Sequence, residues 1–269
     1  MAITAWTDGH RVLYHWQRFN EERLRETLTT NRIYCSSPEA FNDPWDCKPH
    51  FNSDVLADPA ENQRHVDWAV DICRRRTNMS PQDVEHMRQK LLTDRARATE
   101  SINEISAAMG PEINSRYRVY CLGPNVGNLL MWAHYADAHR GICLEFNLRN
   151  VVLCGALKCD YSDVFPRMKL HDDAEDADLR ILLSKSNVWS YEHEFRLIAQ
   201  ERAFAVPDAE TLMTYNSFLQ LPEGALRAVV TGCQANHDLV RQLVEQFAPQ
   251  VQVRRATRVP NRYELSIEG

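Results

Sequence analysis

The sequence predicts an α+β fold, with mostly antiparallel central sheets and a helical insertion, in one domain spanning residues 1–269. Three observations carry that expectation. Short apolar stretches with period-two alternation recur along the chain, joined by brief turn-rich connections, as antiparallel pairing requires. Helical-period stretches alternate with them, so neither class dominates. Residues 61–110 hold a helical pattern before strands resume, which reads as an insertion or lid, too small to bury much core alone.

Residues 12–16 form the first short strand, and Asn20 caps the helix after it, with Leu24 and Leu28 on the inner face. Residues 33–36 make a second strand. It runs into a loop, residues 37–46, rich in Asn, Asp and Pro and anchored by Phe41 and Trp45. In the insertion, Val66, Val70 and Cys73 share a helix face, with Arg74-Arg75-Arg76 in the last turn, where cations suit the helix dipole. Ser80-Pro81-Gln82-Asp83 starts a further helix, which Val84, Met87, Leu91, Ala98, Ile102, Ile105 and Met109 carry as far as Gly110-Pro111. Residues 116–122 are a strand, 129–137 a helix, 141–146 and 156–161 strands. The acids of residues 172–178 open a helix over 179–187, a favourable placement with no functional meaning. Residues 189–198 (WSYEHEFRLI) read as a strand, with Tyr191, His193, Phe195 and Leu197 on one side and Glu192, Glu194 and Arg196 on the other. A buried strand at 226–231, a helix through Leu239, Leu243 and Phe247, and alternation at 251–253 and 263–267 complete roughly seven to nine strands.

A formal net charge of −6 argues against a general nucleic-acid backbone binder. No segment approaches the roughly 18 apolar residues of a membrane span, and the first residues lack a leader's basic and apolar regions. A cytoplasmic protein without membrane contact is the expectation. The eight cysteines are scattered and form no CxxC, so reduced, mostly buried thiols are expected and no metal.

Two carboxylates on one strand face, Glu192 and Glu194, with Arg196 next in line, are either a compensated exposed edge or an acid/base site. In the second case, proximity raises one of the two pKa values. His15, between Tyr14 and Trp16, reads as a hydrogen-bonded core residue or as a ligand grip. Trp132, His134, Tyr135 and Asp137 make a polar, aromatic helix end beside a cleft, or simply core. His139 falls off the face shared by His134 and Asp137, which weakens a metal reading there.

The segments YHW, FNDPWDC, LLMWAHYADAHRGICLEF and WSYEHEFRL, in that order between about residues 11 and 200, resemble a large bacterial family catalogued as domain of unknown function 2971. More distantly, the order of a His-bearing strand, a helix, a small-residue strand, a long helical insert and a Glu-x-Glu strand resembles the ADP-ribosyltransferase fold. That resemblance implies NAD as substrate. It puts His15 at the early position that binds the ribose, and Glu194 or Glu192 at the late position that polarises the 2′-hydroxyl. Trp132, His134 or Tyr135 takes the aromatic place, Tyr14 and Asn42 contact the nucleotide, and Arg196 binds the pyrophosphate or holds Glu194 in register. The Ser-Thr-Ser signature of one branch is absent, and Tyr34, Tyr120 and Tyr135 compete for the middle tyrosine of the other. The implied function is an NAD-consuming ADP-ribosyltransferase or glycohydrolase, a toxin or phage-defence effector, acting on an unnamed macromolecular acceptor. Two alternatives stand beside it. One is a metal-dependent nuclease or phosphodiesterase using Asp43, Asp46, His134, Glu192 and Glu194, against which the acidic charge and the lack of a nearby lysine speak. The other is a nucleotide-sensing module without turnover.

Overall fold

The computed structural model describes residues 2–48, 51, 53–166, 168, 169, 171, 174–203 and 211–269. Asp172 and Asp173, in the acid run expected to open a helix, lie outside them. The chain begins with β1 (Val12–Gln17), α1 (Glu21–Thr30) and β2 (Arg32–Tyr34). Three helices follow, α2 (Pro59–Arg76), α3 (Pro81–Thr93) and α4 (Arg95–Arg116), then β3 (Tyr117–Leu122), α5 (Leu129–His134) and β4 (Ile142–Asn147). Next come β5 (Leu157–Lys158), β6 (Asp160–Ser162), α6 (Ala174–Leu183), β7 (Ser184–Ser186) and β8 (Phe195–Glu201). The last part holds β9 (Met213–Thr214), β10 (Phe218–Gln220), β11 (Leu226–Thr231), α7 (His237–Phe247), β12 (Gln252–Arg258) and β13 (Leu265–Glu268). The α+β class is as the sequence predicts.

A five-stranded sheet runs in the order β1-β4-β11-β12-β13 and is antiparallel except between β11 and β12, which α7 connects. A second sheet has the order β3-β8-β5, with β9 added to β8 in parallel. An isolated antiparallel bridge between Tyr14 and Gly123 joins the two sheets, and another between Ser36 and Val119 ties the end of β2 to β3. The main core fills the space between these sheets and the inner faces of α1 and α7, with Leu13, Leu24, Leu28, Leu144, Phe146, Phe195, Leu197, Val229 and Leu243. The side chain of Asn20 caps α1 as expected, accepting from the Arg23 amide.

The other face of the five-stranded sheet holds a smaller cluster of Trp16, Met131, Trp132, Cys143, Val230 and Leu265. The inserted helices build a third, in which Val66, Val70, Val84, Leu91, Ile102 and Ile113 meet Val119 of β3 and Ile181 of α6. All eight cysteines are free. Among the described residues, no helix is long and apolar enough to cross a membrane.

Four local expectations are corrected. The helix begun at Ser80 ends at Thr93, because Asp94 caps both sides: its amide closes α3 on Lys90 and its carboxylate accepts from Arg97 to open α4. Gly110-Pro111 does not stop α4. Proline costs the helix one hydrogen bond, and the next turn carries the buried Ile113 into the third cluster, which offsets that loss. The helix expected over 179–187 ends at Leu183, and Ser184–Ser186 pairs with β6 instead. Residues 189–198 are not one strand. Asn187–Glu192 coils into a 3-10 turn, His193 takes a left-handed conformation (φ 47°), and β8 starts only at Phe195.

Candidate functional site

Glu192, Glu194 and Arg196 still converge, because the 3-10 turn and the left-handed residue fold the first carboxylate back over the start of β8. Alternation within the strand then aims Phe195 and Leu197 at the main core, and Arg196 at the opposite face beside Glu194. The Glu194 amide donates to the Tyr161 hydroxyl at 2.8 Å, and its carbonyl accepts from the Cys159 amide at 2.9 Å. This locks the backbone between β6 and β8.

All three side chains are buried, Arg196 completely. Its guanidinium forms a two-pronged pair with Asp46, with contacts of 2.6 and 2.9 Å, and donates to Glu194 at 2.9 Å and to the Leu182 carbonyl at 2.6 Å. Lys185, on the short strand β7, inserts its ammonium between Glu192 and Glu194, 2.5 Å from the latter and 3.9 Å from Asp46. Tyr135 donates its hydroxyl to the other oxygen of Glu192 at 2.6 Å. Three carboxylates thus face two cations, a net charge of −1 in a buried space. Burial raises the pKa of Glu192 against the pull of Lys185. For Glu194 burial acts in the same sense, but Arg196 and Lys185 together overcome it and hold the carboxyl below its usual range. Glu194 is therefore the fixed anion of the group, and Glu192 the carboxylate able to take up a proton.

The cluster backs onto a cavity of about 500 Å³ lined by Asn42, Asp43, Trp45, Phe165, Lys185 and Trp189, among others. The Trp189 indole N–H donates to Asp43 at 2.7 Å, and Asp43 also accepts from the Trp45 amide at 2.9 Å, which holds the two indoles at the wall. Lys185 lies 5.6 Å from the Trp189 ring centre, within cation–π range. Trp45, Val164 and Val188 are exposed at the rim.

His15 is elsewhere. It lines a separate cleft of about 80 Å³ with Gln17, Arg23, Tyr34, Ser36 and Tyr120. Its ring stacks on Tyr120 with centres 4.1 Å apart, and its Nδ1–H donates to the Cys121 carbonyl at 2.8 Å. Burial pushes its pKa down to about 4, so the ring is neutral at pH 7. Cys121 lies between the two regions: its carbonyl accepts from His15, and its strand β3 pairs with β8, where Cys121 stands opposite Arg196. In the same cleft the Tyr120 hydroxyl and the Gln17 amide nitrogen have no hydrogen-bond partner among the described residues.

Of the residues singled out in the sequence, the structure brings together Glu192, Glu194, Arg196 and Tyr135, with Asn42 on the adjoining cavity wall. His134 stands at the margin, its Nδ1 2.9 Å from the Tyr191 hydroxyl and its ring 6.2 Å from that of Trp189. Trp132 does not join them. It is fully enclosed in the core cluster, its indole N–H donating to the Val126 carbonyl at 2.6 Å. Tyr14 lies on the face of β1 opposite His15, against Trp16. Lys185 is the member that the sequence reading missed, and Asp46, named there only as a metal-binding acid, is instead the partner of Arg196. Lys185 hides in a run of helical period, and Asp46 in a loop rich enough in turn formers to explain every acid.

Asp46 and the two glutamates thus have protein cations, and Asp43 an indole N–H, as their partners, which relieves most of the repulsion that motivated a metal at this place. The group of the described residues whose side chains have metal-ligand spacing is instead Glu61, His65 and His171, outside the cluster. No protein-family model, curated protein or solved structure matches the chain.

Proposed function

We propose that this protein is an NAD-consuming enzyme, an ADP-ribosyltransferase or glycohydrolase, whose reaction takes place at the inner wall of the 500 Å³ cavity. The observation that carries this reading is the closed Lys185–Glu192–Glu194–Arg196–Asp46 cluster behind an aromatic wall of nucleotide scale. Flat bases stack on indoles, and Trp45 and Trp189 offer two. When the bond from ribose C1′ to the nicotinamide nitrogen breaks, its electron pair goes to the ring and positive charge develops on the sugar. A fixed excess of carboxylate behind the wall, where Lys185 is the member of the cluster that lines the cavity, stabilises that charge without reorganising. The incoming hydroxyl, from water or an acceptor, forms a bond to C1′ and gives its proton to Lys185 on the cavity wall as Lys185 passes one of its own to Glu192, the receptive base behind it. The split pair of sheets supports the same reading. His15, in the separate cleft on the far side of Cys121, does not reach this cavity and takes no part in the reaction.

One observation favours a second reading. Glu194 and Arg196 are so completely paired and enclosed that the cluster serves equally as a brace under a nucleotide-binding cavity without turnover. Purified protein incubated with NAD, with and without candidate macromolecular acceptors, separates the two. The enzyme releases nicotinamide, and Glu192→Gln lowers the rate by about 10²-fold or more. A rise in melting temperature with NAD and no release in any arm supports the binding module. Neither effect removes both readings.

A further inference from the structure

The geometry points to a metal site remote from the acid cluster: we propose that Glu61, His65 and His171 bind one zinc-class divalent ion, which fastens the first turns of α2 to the segment holding Met168, Lys169 and His171. Nothing in this proposal depends on the NAD reading.

Glu61 and His65 are four residues apart on α2, so one helix face presents both donors. His171 arrives from 110 residues further on and places its Nε2 3.0 Å from Glu61 Oε2. The donor atoms of all three lie within 4.8 Å of one another. Bonds of about 2.0–2.2 Å to one tetrahedral ion set ligand atoms roughly 3.4 Å apart. The Glu61–His171 edge already meets that, and rotation of exposed-side torsions closes the rest.

The tautomer of His65 is also arranged. Its Nδ1 lies 2.8 Å from the Glu61 carbonyl oxygen. A carbonyl only accepts, so Nδ1 carries the hydrogen and Nε2 the lone pair. An imidazole held through its far nitrogen by a backbone carbonyl is how ligating histidines are normally oriented. The His65 and His171 rings meet edge to face with centres 4.8 Å apart, and His65 is buried while Glu61 and His171 are part-exposed, so the donors converge at the edge of the packed interior. Lys169 and Arg64 contact Glu61 through Oε1, at 3.1 and 3.2 Å, which leaves Oε2 on the histidine side. Two imidazoles and one carboxylate suit zinc and its neighbours, not calcium or magnesium, and three protein ligands leave the fourth position to water.

The consequence is mechanical. His171 follows shortly after Ser162, Val164 and Phe165 of the cavity wall, so an ion there anchors that wall to the inserted helices. The test uses the full chain, stripped with EDTA and dialysed, then titrated with Zn²⁺ in a calorimeter. One ion per chain is expected, with affinity weakened about tenfold or more in His171→Ala and in Glu61→Gln. His171 is partly exposed, so the first variant folds whatever the outcome, and circular dichroism checks both. Absence of Zn²⁺ uptake overturns the proposal, as does equal uptake by wild type and the two variants. Cobalt substitution gives an independent readout: a thiolate charge-transfer band places the ion on the cysteines and overturns it, whereas visible bands without one support it.

Discussion

Lys185 holds apart two carboxylates that share one buried space, and its removal exposes what each of them needs. Lys185→Met leaves Glu194 with Arg196 and Glu192 with only the Tyr135 hydroxyl, and loss of one partner from a buried charge group costs about 3–5 kcal/mol. Urea unfolding followed by tryptophan fluorescence measures it, and a loss below 1 kcal/mol, on the order of an exposed pair, shows that the group is not closed to water. The two glutamates differ. Glu194→Gln takes a partner from both cations and falls in the same range, about 3 kcal/mol or more. Glu192→Gln removes the surplus negative charge and keeps the carbonyl that accepts from Tyr135, so it costs less, about 1.5 kcal/mol at most. Equal losses refute the assignment of Glu194 as the fixed anion. At this scale the sequence was half legible. Alternation in residues 192–196 announced the acids and their guanidinium, since that depends only on neighbours in the chain. Their main counter-ions come from positions 46 and 185, and no local pattern records a contact made across 150 residues.

Elements were more legible than the contacts between them. The strands β1, β3, β4 and β11 and the capped helix α1 follow from periodicity, because each buries one face or both in a way that spacing encodes. The failures lie where tertiary contact outweighs propensity, as in α4 running through Pro111, or where a single residue changes direction, as at His193. Close backbone approach makes two glycines behave differently. A Cβ on Gly232 meets the His139 carbonyl oxygen at 2.1 Å, and His139 itself ends a run of three left-handed residues beginning at Asp137, so neither side yields easily. Gly232→Ala is expected to cost at least about 2 kcal/mol. Gly110, inside α4, has nothing outside its own helix within 4 Å of an added Cβ, but the Cδ of Pro111 crowds a Cβ on the residue before it, so Gly110→Ala is expected to change stability by less than about 1 kcal/mol, propensity and crowding opposing each other. Thermal melts of the two variants check both, and a loss at Gly110 as large as at Gly232 rejects the open surroundings of Gly110 in α4.

The whole molecule reports its buried charges through acid stability, where three groups pull in different directions. His15 is held down to about 4 from an ordinary 6.5 by burial. Between those limits the unfolded chain takes up a proton that the folded one refuses, so the stabilisation is complete above 6.5. It then falls by up to about 1.4 kcal/mol for each pH unit downward through the window. Glu194, depressed by Arg196 and Lys185 against its burial, adds loss of the same sign once the pH drops below its ordinary 4.5. Glu192 opposes both: raised by burial, it favours the fold most at low pH, and that contribution fades as the pH climbs from 4.5 through its folded value. The summed profile of the wild type cannot separate these, but a difference profile does. His15→Asn keeps an N–H to offer the Cys121 carbonyl and has no proton to gain in this range. Subtracting its unfolding free energy from that of the wild type at each pH cancels Glu192 and Glu194 and leaves the imidazole. The difference is flat above pH 6.5, moves against the wild type by up to about 1.4 kcal/mol per unit between 6.5 and 4, and levels off below. Parallel profiles across that window mean an imidazole that titrates as freely folded as unfolded, which a ring stacked on Tyr120 and hydrogen-bonded to the Cys121 carbonyl does not do.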